Sequence, residues 1–393
     1  MVAAPRPQVP SPRFTRRALL QLATAGAAAP LGGGCAYYGA EEGLAYQPWR
    51  TPINEGPGAL ALVHAALLAA SPHNTQPWRF RLEGDARLLL RADPTRWLGA
   101  MDPLRRELHV GLGCALENAA VAAQELGFAP TLALFPDEGD PELAARVDLA
   151  PAAPTPHALF SAIRVRCTRR DAYADVGLSS RTAEALEALV TDDGVALHLL
   201  VDPPSKAAFR DGVIAATERI IADAEMSAAS ERWFRQTHEE IERYRDGITL
   251  DAQGFDGLTA ALAKVAGRAS TKTSNEYWLS RTREVQTRAV SAFAALTTAR
   301  LDDPAAAVHA GRAFQRIHLW CTSQGLALQP LNQMAERRDR EVQRGLAPEF
   351  GDRLASLFPG GRPVQMLFRL GYAFDASAAH SPRRPVEWVA EAA

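Results

Sequence analysis

The chain has 393 residues, 43 Lys plus Arg against 45 Asp plus Glu, and 47% apolar residues. That length allows two or three domain-sized units or one large repeated one, with ample material for a core. A net charge of −2 leaves no electrostatic footprint for nucleic acid as a main partner, and the composition excludes disorder, collagen and coiled coil for the bulk of the chain.

The amino terminus reads as a targeting segment. Arg16-Arg17-Ala18-Leu19-Leu20 heads a mildly apolar run to Leu31, too short and Ala-rich for a membrane span. A charged head, a short apolar run and small residues behind it make an export signal, and an Arg pair followed by two leucines resembles the twin-arginine type. That route carries folded proteins. Leu31-Gly32-Gly33-Gly34-Cys35 partly resembles a lipoprotein signal with Cys35 as the anchor, its apolar residue one position too far from the cysteine. Residues 1–48 are taken as export signal and linker, with a periplasmic or cell-envelope location expected.

Helix and strand then alternate. Gly58–Ala70 is an apolar-rich helix stopped before Ser71-Pro72. Trp78–Leu82 and Arg87–Ala92 alternate as strands around a Gly84-Asp85 turn. Leu104–Leu126 is a long helix closed by Gly127, and Thr131–Phe135 a short strand. A Pro/Ala stretch, Ala150–Pro156, marks an internal boundary. A helix capped by Ser179 follows, then a strand over Val195–Val201, helices over Ser205–Met226 and Ala228–Arg245, and a loop over Gly247–Gly257. Val290–Thr298 is strand-like, Asp303–Gln324 a helix stopped by Gly325, and Val364–Tyr372 a last strand before a Pro- and Arg-bearing tail. The fold class expected is α+β.

The cysteines Cys35, Cys114, Cys167 and Cys321 are too far apart for a zinc knuckle or a Cys-x-x-Cys pair. No metal ligand set stands out. Three segments carry the chemistry instead. Ser71-Pro72-His73-Asn74-Thr75-Gln76-Pro77-Trp78 lies between a helix and a strand. There, Asn and Gln amides and free backbone groups can face a heteroaromatic edge; the plainer reading is an Asn-anchored loop. Arg166-Cys167-Thr168-Arg169-Arg170 puts three arginines and a hydroxyl in five residues, a ready anion site. The basic residues are nearly all Arg, however, so a solvated basic turn is the plainer alternative. The tail Ser381-Pro382-Arg383-Arg384-Pro385 completes a clamp or is a surface arm.

Ser71–Trp78 resembles the Pro-Ser-x-x-Asn-x-Gln-Pro-Trp motif of the nitroreductase family of FMN proteins. Arg166-x-Thr168-x-Arg170 resembles its Arg-x-Ser-x-Arg phosphate motif. Gly311–Pro330, Pro363–Tyr372 and Arg383 resemble its closing helix, strand and phosphate-binding tail. The His73–Trp78 spelling, and Asp102-Pro103 followed by Arg106-Glu107-Leu108-His109, resemble the Acg-type branch. In ordinary members the Arg motif precedes the Asn-x-Gln-Pro-Trp motif within a short chain, and two chains share two FMN sites. Here the chain is about twice as long, and each motif is found once, in the reverse order.

The resemblance therefore implies a nitroreductase-like fold of two fused halves, residues 49–150 and 151–393, forming an internal pseudo-dimer with one site and no need of a second copy: a monomer. A helical insertion (207–275) and a C-terminal arm belong to the second half. By resemblance, Arg166, Thr168, Arg170 and Arg383 (Arg384 if the register slips) hold the FMN phosphate and ribityl chain. Ser71, His73 and Asn74 lie along the flavin, Gln76 and Trp78 shape the loop, and Thr297 and Thr298 reach toward the ring edge. The implied activity is two-electron transfer through FMN to a nitroaromatic, quinone or similar small molecule, with NAD(P)H the usual donor. Export would remove the chain from the cytoplasmic nicotinamide pool. The insertion would form a lid, and a closed lid gives the alternative function, an FMN-sequestering protein with little turnover.

Overall fold

The computed structural model describes residues 40–392 apart from 193, 255–259, 261–262, 265–267 and 375–377. Arg16, Arg17 and Cys35 of the expected leader lie outside the described residues. The part of the expected linker that is described is folded. Leu44–Tyr46 and Gln47–Arg50 form two short helical turns in which Tyr46 and Trp49 are buried, so the core begins before residue 49.

The first half starts with α1 (Gly58–Leu67), apolar on nearly every side and buried accordingly. The hairpin of β1 (Trp78–Leu82) and β2 (Arg87–Ala92) follows, with Trp78 and Phe80 inward and Arg79 outward. Next come α2 (Arg106–Glu125), β3 (Phe128–Leu134) and β4 (Leu143–Pro151). The sequence reading missed β4, because its alanines carry little strand propensity and its end runs into the Pro/Ala stretch.

The second half repeats this order after β5 (Tyr173–Ala174). It runs through α3 (Ser180–Ala188), β6 (Ala196–Leu200), an insertion, β9 (Ala292–Thr297), α8 (Pro304–Ser323), β10 (Ala327–Pro330) and β11 (Val364–Ala373). The sheet orders correspond: β1-β2-β4-β3 in the first half, β6-β9-β11-β10 in the second. The C-terminal β12 (Ala390–Ala392) crosses back and pairs in parallel with β1, Phe80 opposite Ala390.

The insertion holds α4 (Pro203–Ala222), α5 (Ala224–Glu231), β7 (Phe234–Arg235), α6 (His238–Tyr244), β8 (Ile248–Thr249) and α7 (Thr271–Arg281). The second of the two long helices expected here breaks at 232–237. Thr237 and Glu240 form a capping box that starts a new helix, and β7 pairs with β8. Between β10 and β11 lie α9 (Gln333–Arg344) and α10 (Glu349–Leu357), both unexpected. Helix α9 shows no apolar stripe because ion pairs bury it: Arg338 with Asp339, and Arg340 with Asp223 and Glu225. No described helix is long and apolar enough to cross a membrane.

The halves meet where α2 crosses α8. A Cβ on Gly113 would run into Val308 O, and one on Gly311 into Val110 O. The two contacts are reciprocal, since Gly113 corresponds to Gly311 as Val110 does to Val308. Only glycine lets the helices approach this closely. One core spans the crossing, with Leu62, Trp78, Leu116, Phe314, Ile317 and Phe368 all buried in it. Gly311→Ala should lower the unfolding free energy by about 2 kcal/mol in urea titrations; unchanged stability would mean the crossing has room to spare.

A buried ionic group also joins the halves. Arg106 Nε donates to Asp339 Oδ2 at 2.7 Å, and Arg106 Nη2 to Glu107 Oε1 at 3.1 Å. The Asp102 carboxylate receives the amides of Glu107 and Leu108 at 3.0 and 2.9 Å, satisfying the first turn of α2. Burial and the Glu107 carboxylate push Asp102 up to about 8. A carboxyl whose folded value is raised favours the native state at low pH and loses that contribution as pH rises. Asp102→Asn should therefore gain stability relative to wild type by about 1–3 kcal/mol between pH 4 and pH 8, read from paired denaturation curves; a difference that stays flat with pH would refute this.

Candidate functional site

The Ser71–Trp78 segment leaves α1 as a strained loop. His73, Asn74 and Gln76 all have positive φ, at 45°, 55° and 53°, which is costly for residues with a Cβ. The strain is held by local bonds. Asn74 N donates to Ser71 O at 3.0 Å, Thr75 N to Pro72 O at 2.8 Å, and Gln76 N to Ser71 Oγ at 3.1 Å. Two buried amides brace the end of α1 from below. Asn118 Nδ2 donates to Ala65 O at 2.9 Å, Gln315 Nε2 to Asn118 Oδ1 at 2.8 Å, and Ala70 N to Gln315 Oε1 at 3.2 Å. The Leu68 and Ala69 carbonyls are thereby fixed.

Those carbonyls receive arginines. Arg166 Nη2 donates to Leu68 O at 3.0 Å, and Arg383 Nη2 to Ala69 O at 3.0 Å. Arg383 Nη1 reaches Asn74 Oδ1 at 2.6 Å, and its guanidinium lies over the Trp49 ring at 4.7 Å. Arg170 Nη1 donates to Ala252 O at 3.0 Å. Thr168 lies between the two motif arginines, half-buried, whereas Arg169 pairs with Asp171 at 2.8 Å.

Among the described residues no ion pair forms at Arg166, Arg170 or Arg383, and the Nε atoms of Arg166 and Arg383 are buried without a partner. Burial lowers Arg166; it pushes Arg170 down to about 10, with Arg369 and Arg166 adding to the shift. Burial and Arg166 hold Arg383 well below its ordinary value. A guanidinium stays charged in a protein, so these shifts express an unmet demand for a negative partner. His318, buried on α8, holds Cys167 O through Nε2 at 3.1 Å and is kept neutral by burial and by Arg166.

The tail is pinned in one register. Arg384 N donates to Gln76 Oε1 at 2.8 Å, and Arg384 Nη2 to Gln76 O and Trp78 O. Arg383, not Arg384, therefore joins the arginine pocket. Gln76 Nε2 donates to Arg245 O at 2.9 Å, so Gln76 ties loop, tail and insertion together. Asn74 spends its side-chain amide on Gly247 O at 3.0 Å and Pro382 O at 2.9 Å. His73 bonds Ser230 Oγ at 3.1 Å, and burial and Arg170 push it down to about 4. Ser71 is half-buried and accepts from Gln76 N. Thr297 bonds His198, and Thr298 bonds Arg300 O and Gln365; neither contacts the pocket arginines.

The counterpart of the Asn118–Gln315 relay lies beneath the end of α3 and is charged, since Arg316 matches Asn118 and Glu117 matches Gln315. Asp192 accepts from Arg312 at 3.3 Å and Arg316 at 3.0 Å, and Glu117 from the same two at 3.0 and 2.7 Å. Two carboxylates meet two guanidiniums there, whereas the relay beneath α1 is made of neutral amides. The sequence reading did not single out Trp49, Asn118, Gln315 or His318; the polar residues among them sit at positions where a helix stripe reads as core.

Two buried guanidiniums, each with an unspent Nε, and a half-buried third, with no carboxylate paired to any of them among the described residues, have the donor chemistry that a phosphate-type anion needs. Millimolar inorganic phosphate should raise the melting temperature of ligand-free protein by about 2–4 °C, with chloride at equal ionic strength without effect. The Arg166→Ala/Arg383→Ala variant should lose the response; a wild-type protein indifferent to phosphate would refute the anion site.

No family model matches the chain. A Mycobacterium tuberculosis (strain ATCC 25618 / H37Rv) protein named "Putative NAD(P)H nitroreductase Rv3131" is 28% identical over 332 residues, covering 83% of this chain and 89% of its own. "Putative NAD(P)H nitroreductase acg" of the same strain is 34% identical over 143 residues, 36% of this chain and 43% of its own. Among solved structures, an FMN-bound nitroreductase from Desulfitobacterium hafniense is 14% identical with a TM-score of 0.35, covering 58% of this chain and 95% of its own. The FMN-dependent nitroreductase NfnB from Mycobacterium smegmatis, in complex with NADPH, is 16% identical with a TM-score of 0.35, covering 59% and 96%. The likeness to nitroreductases that the motifs carry is thus found again in one relative along 83% of this chain and in Acg along 36% of it.

Proposed function

We propose that the chain is an FMN-dependent oxidoreductase of nitroreductase type that passes two electrons to a nitroaromatic, quinone or similar small molecule. The observation that carries this is the trio Arg166, Arg170 and Arg383, two buried and one half-buried, which has charge for a phosphate monoester and no anion to satisfy it among the described residues. The residues fit the group: the three guanidiniums and the Thr168 hydroxyl would hold the phosphate and ribityl chain, and Trp49 and Asn74 orient Arg383. Ser71 and His73 would lie along the flavin, with His73 neutral above about pH 4. When bound, the flavin supplies the electron-pair chemistry. The insertion keeps water from the loop through Ser230, Gly247 and Ala252, which touch His73, Asn74 and Arg170.

The same contacts favour a second reading, an FMN-holding protein whose closed insertion limits turnover. The relatives are named for NAD(P)H, and that donor is the first to titrate. The matching sheet orders and the single occurrence of each motif support a fused pseudo-dimer with one site, active as a monomer. The Arg16-Arg17 segment supports export by the twin-arginine route to the periplasm or envelope, with a lipid anchor at Cys35 the lesser possibility.

Purified protein should carry or take up one FMN per chain, measured by absorbance after heat release. Arg166→Ala/Arg170→Ala should weaken FMN binding at least tenfold, given roughly 1.5–3 kcal/mol for each charge-assisted bond; undiminished retention would sink the clamp. A flavin that dithionite reduces but no acceptor reoxidises faster than oxygen does would leave the holding protein as the function.

A further inference from the structure

The Arg245–Gly247 turn of the insertion is fastened from two sides. Asp246, 2% exposed, binds Arg235 of β7 through Nε and Nη2 at 2.8 and 2.7 Å and also pairs with Arg96 of the first half. Arg96 in turn donates through Nε to Thr75 O, inside the loop that carries His73 and Asn74. On the other side Gly247 N donates to Asn74 O at 3.1 Å, and Asn74 Nδ2 returns to Gly247 O at 3.0 Å. Arg96 and Arg235 also stack on Trp233, at 5.2 and 5.7 Å. Gly247 has φ +76°, and a Cβ there would run into Trp233 O, so the turn has one seating.

A single buried carboxylate thus joins an arginine of the first half to one of the insertion, and its neighbour Gly247 grips Asn74. Asn74 accepts from Arg383, so the contacts run from Asp246 through Gly247 and Asn74 to the arginine pocket. Charge-assisted bonds between buried partners are the strong ones, while the Gly247–Asn74 pair is neutral and opens once the turn is released.

We propose that Asp246 is the latch of the pocket: it sets how fast a phosphate-bearing ligand enters and leaves, while Arg166, Arg170 and Arg383 set how tightly it is held. This rests on the reading of the pocket as the FMN phosphate site. Asp246 acts through Gly247 and Asn74 and is a positioning residue.

Asp246→Asn keeps the shape and removes the charge. Arg96→Lys keeps a charge opposite Asp246 but cannot also reach Thr75 O, and serves if the first variant folds poorly. Two quantities are read on the full chain: FMN association and release by flavin fluorescence, and hydrogen exchange of the segment containing the Gly247 amide. Release and entry should both accelerate about tenfold, with the dissociation constant changed by less than about threefold and Gly247 exchange faster by a similar factor. Unchanged Gly247 exchange overturns the latch. Faster exchange with unchanged FMN release overturns its control of the pocket, as does weaker binding with an unaltered release rate. A wild-type chain that takes up no FMN refutes the pocket reading instead, and the latch is then decided by Gly247 exchange alone.

Discussion

Two carbonyl oxygens govern how this molecule is assembled. Val110 O and Val308 O lie where any side chain on Gly311 or Gly113 would have to go, so α2 and α8 cross at backbone contact. That closeness lets amides from both helices, Asn118 and Gln315, meet in one hydrogen-bonded relay beneath the end of α1. A wider crossing would separate them, and the Leu68 and Ala69 carbonyls that steady two arginines would lose their support. The pocket is thus a property of the interface between halves and belongs to neither alone.

The two ends of that interface have been resolved differently. At one, Asp192 and Glu117 offset Arg312 and Arg316. At the other, arginines accumulate with backbone carbonyls and an aromatic face in place of acids. Buried charge without a counter-charge is costly, and a fold keeps such an arrangement where a ligand offsets it. The asymmetry gives the chain a direction: its first half supplies the loop, its second half the charge, and the C-terminal arm closes the ring of contacts by pairing β12 with β1.

Much of the fold was legible in the sequence. Period-2 alternation marked β1 and β2, and the glycines after α2 and α8 marked both helix ends. What escaped did so for identifiable reasons. The strand β4 is rich in alanine, and α9 is buried through ion pairs, so neither shows an apolar pattern. The Arg166-x-Thr168-x-Arg170 segment was readable because it crowds three arginines and a hydroxyl into five residues, and the structure turns Arg166 and Arg383 onto adjacent carbonyls. The involvement of Trp49, of His318 and of the turn at Arg245–Gly247 was not readable, since each depends on contacts between residues far apart in the chain. Nor was the use of the Asn74 amide, which is spent on Gly247 and Pro382.

The left-handed residues His73, Asn74 and Gln76 set backbone strain against side-chain bonding. Glycine would relax each backbone by about 1 kcal/mol, but it would also orphan buried hydrogen-bond partners at about 1–3 kcal/mol each. Each such step would delete an imidazole or an amide that fastens the insertion or the tail, as His73 does with Ser230 and Gln76 with Arg384. The strain therefore persists because the side chains outweigh the backbone, and glycine at any of the three would loosen the insertion or the tail and lower heat resistance together.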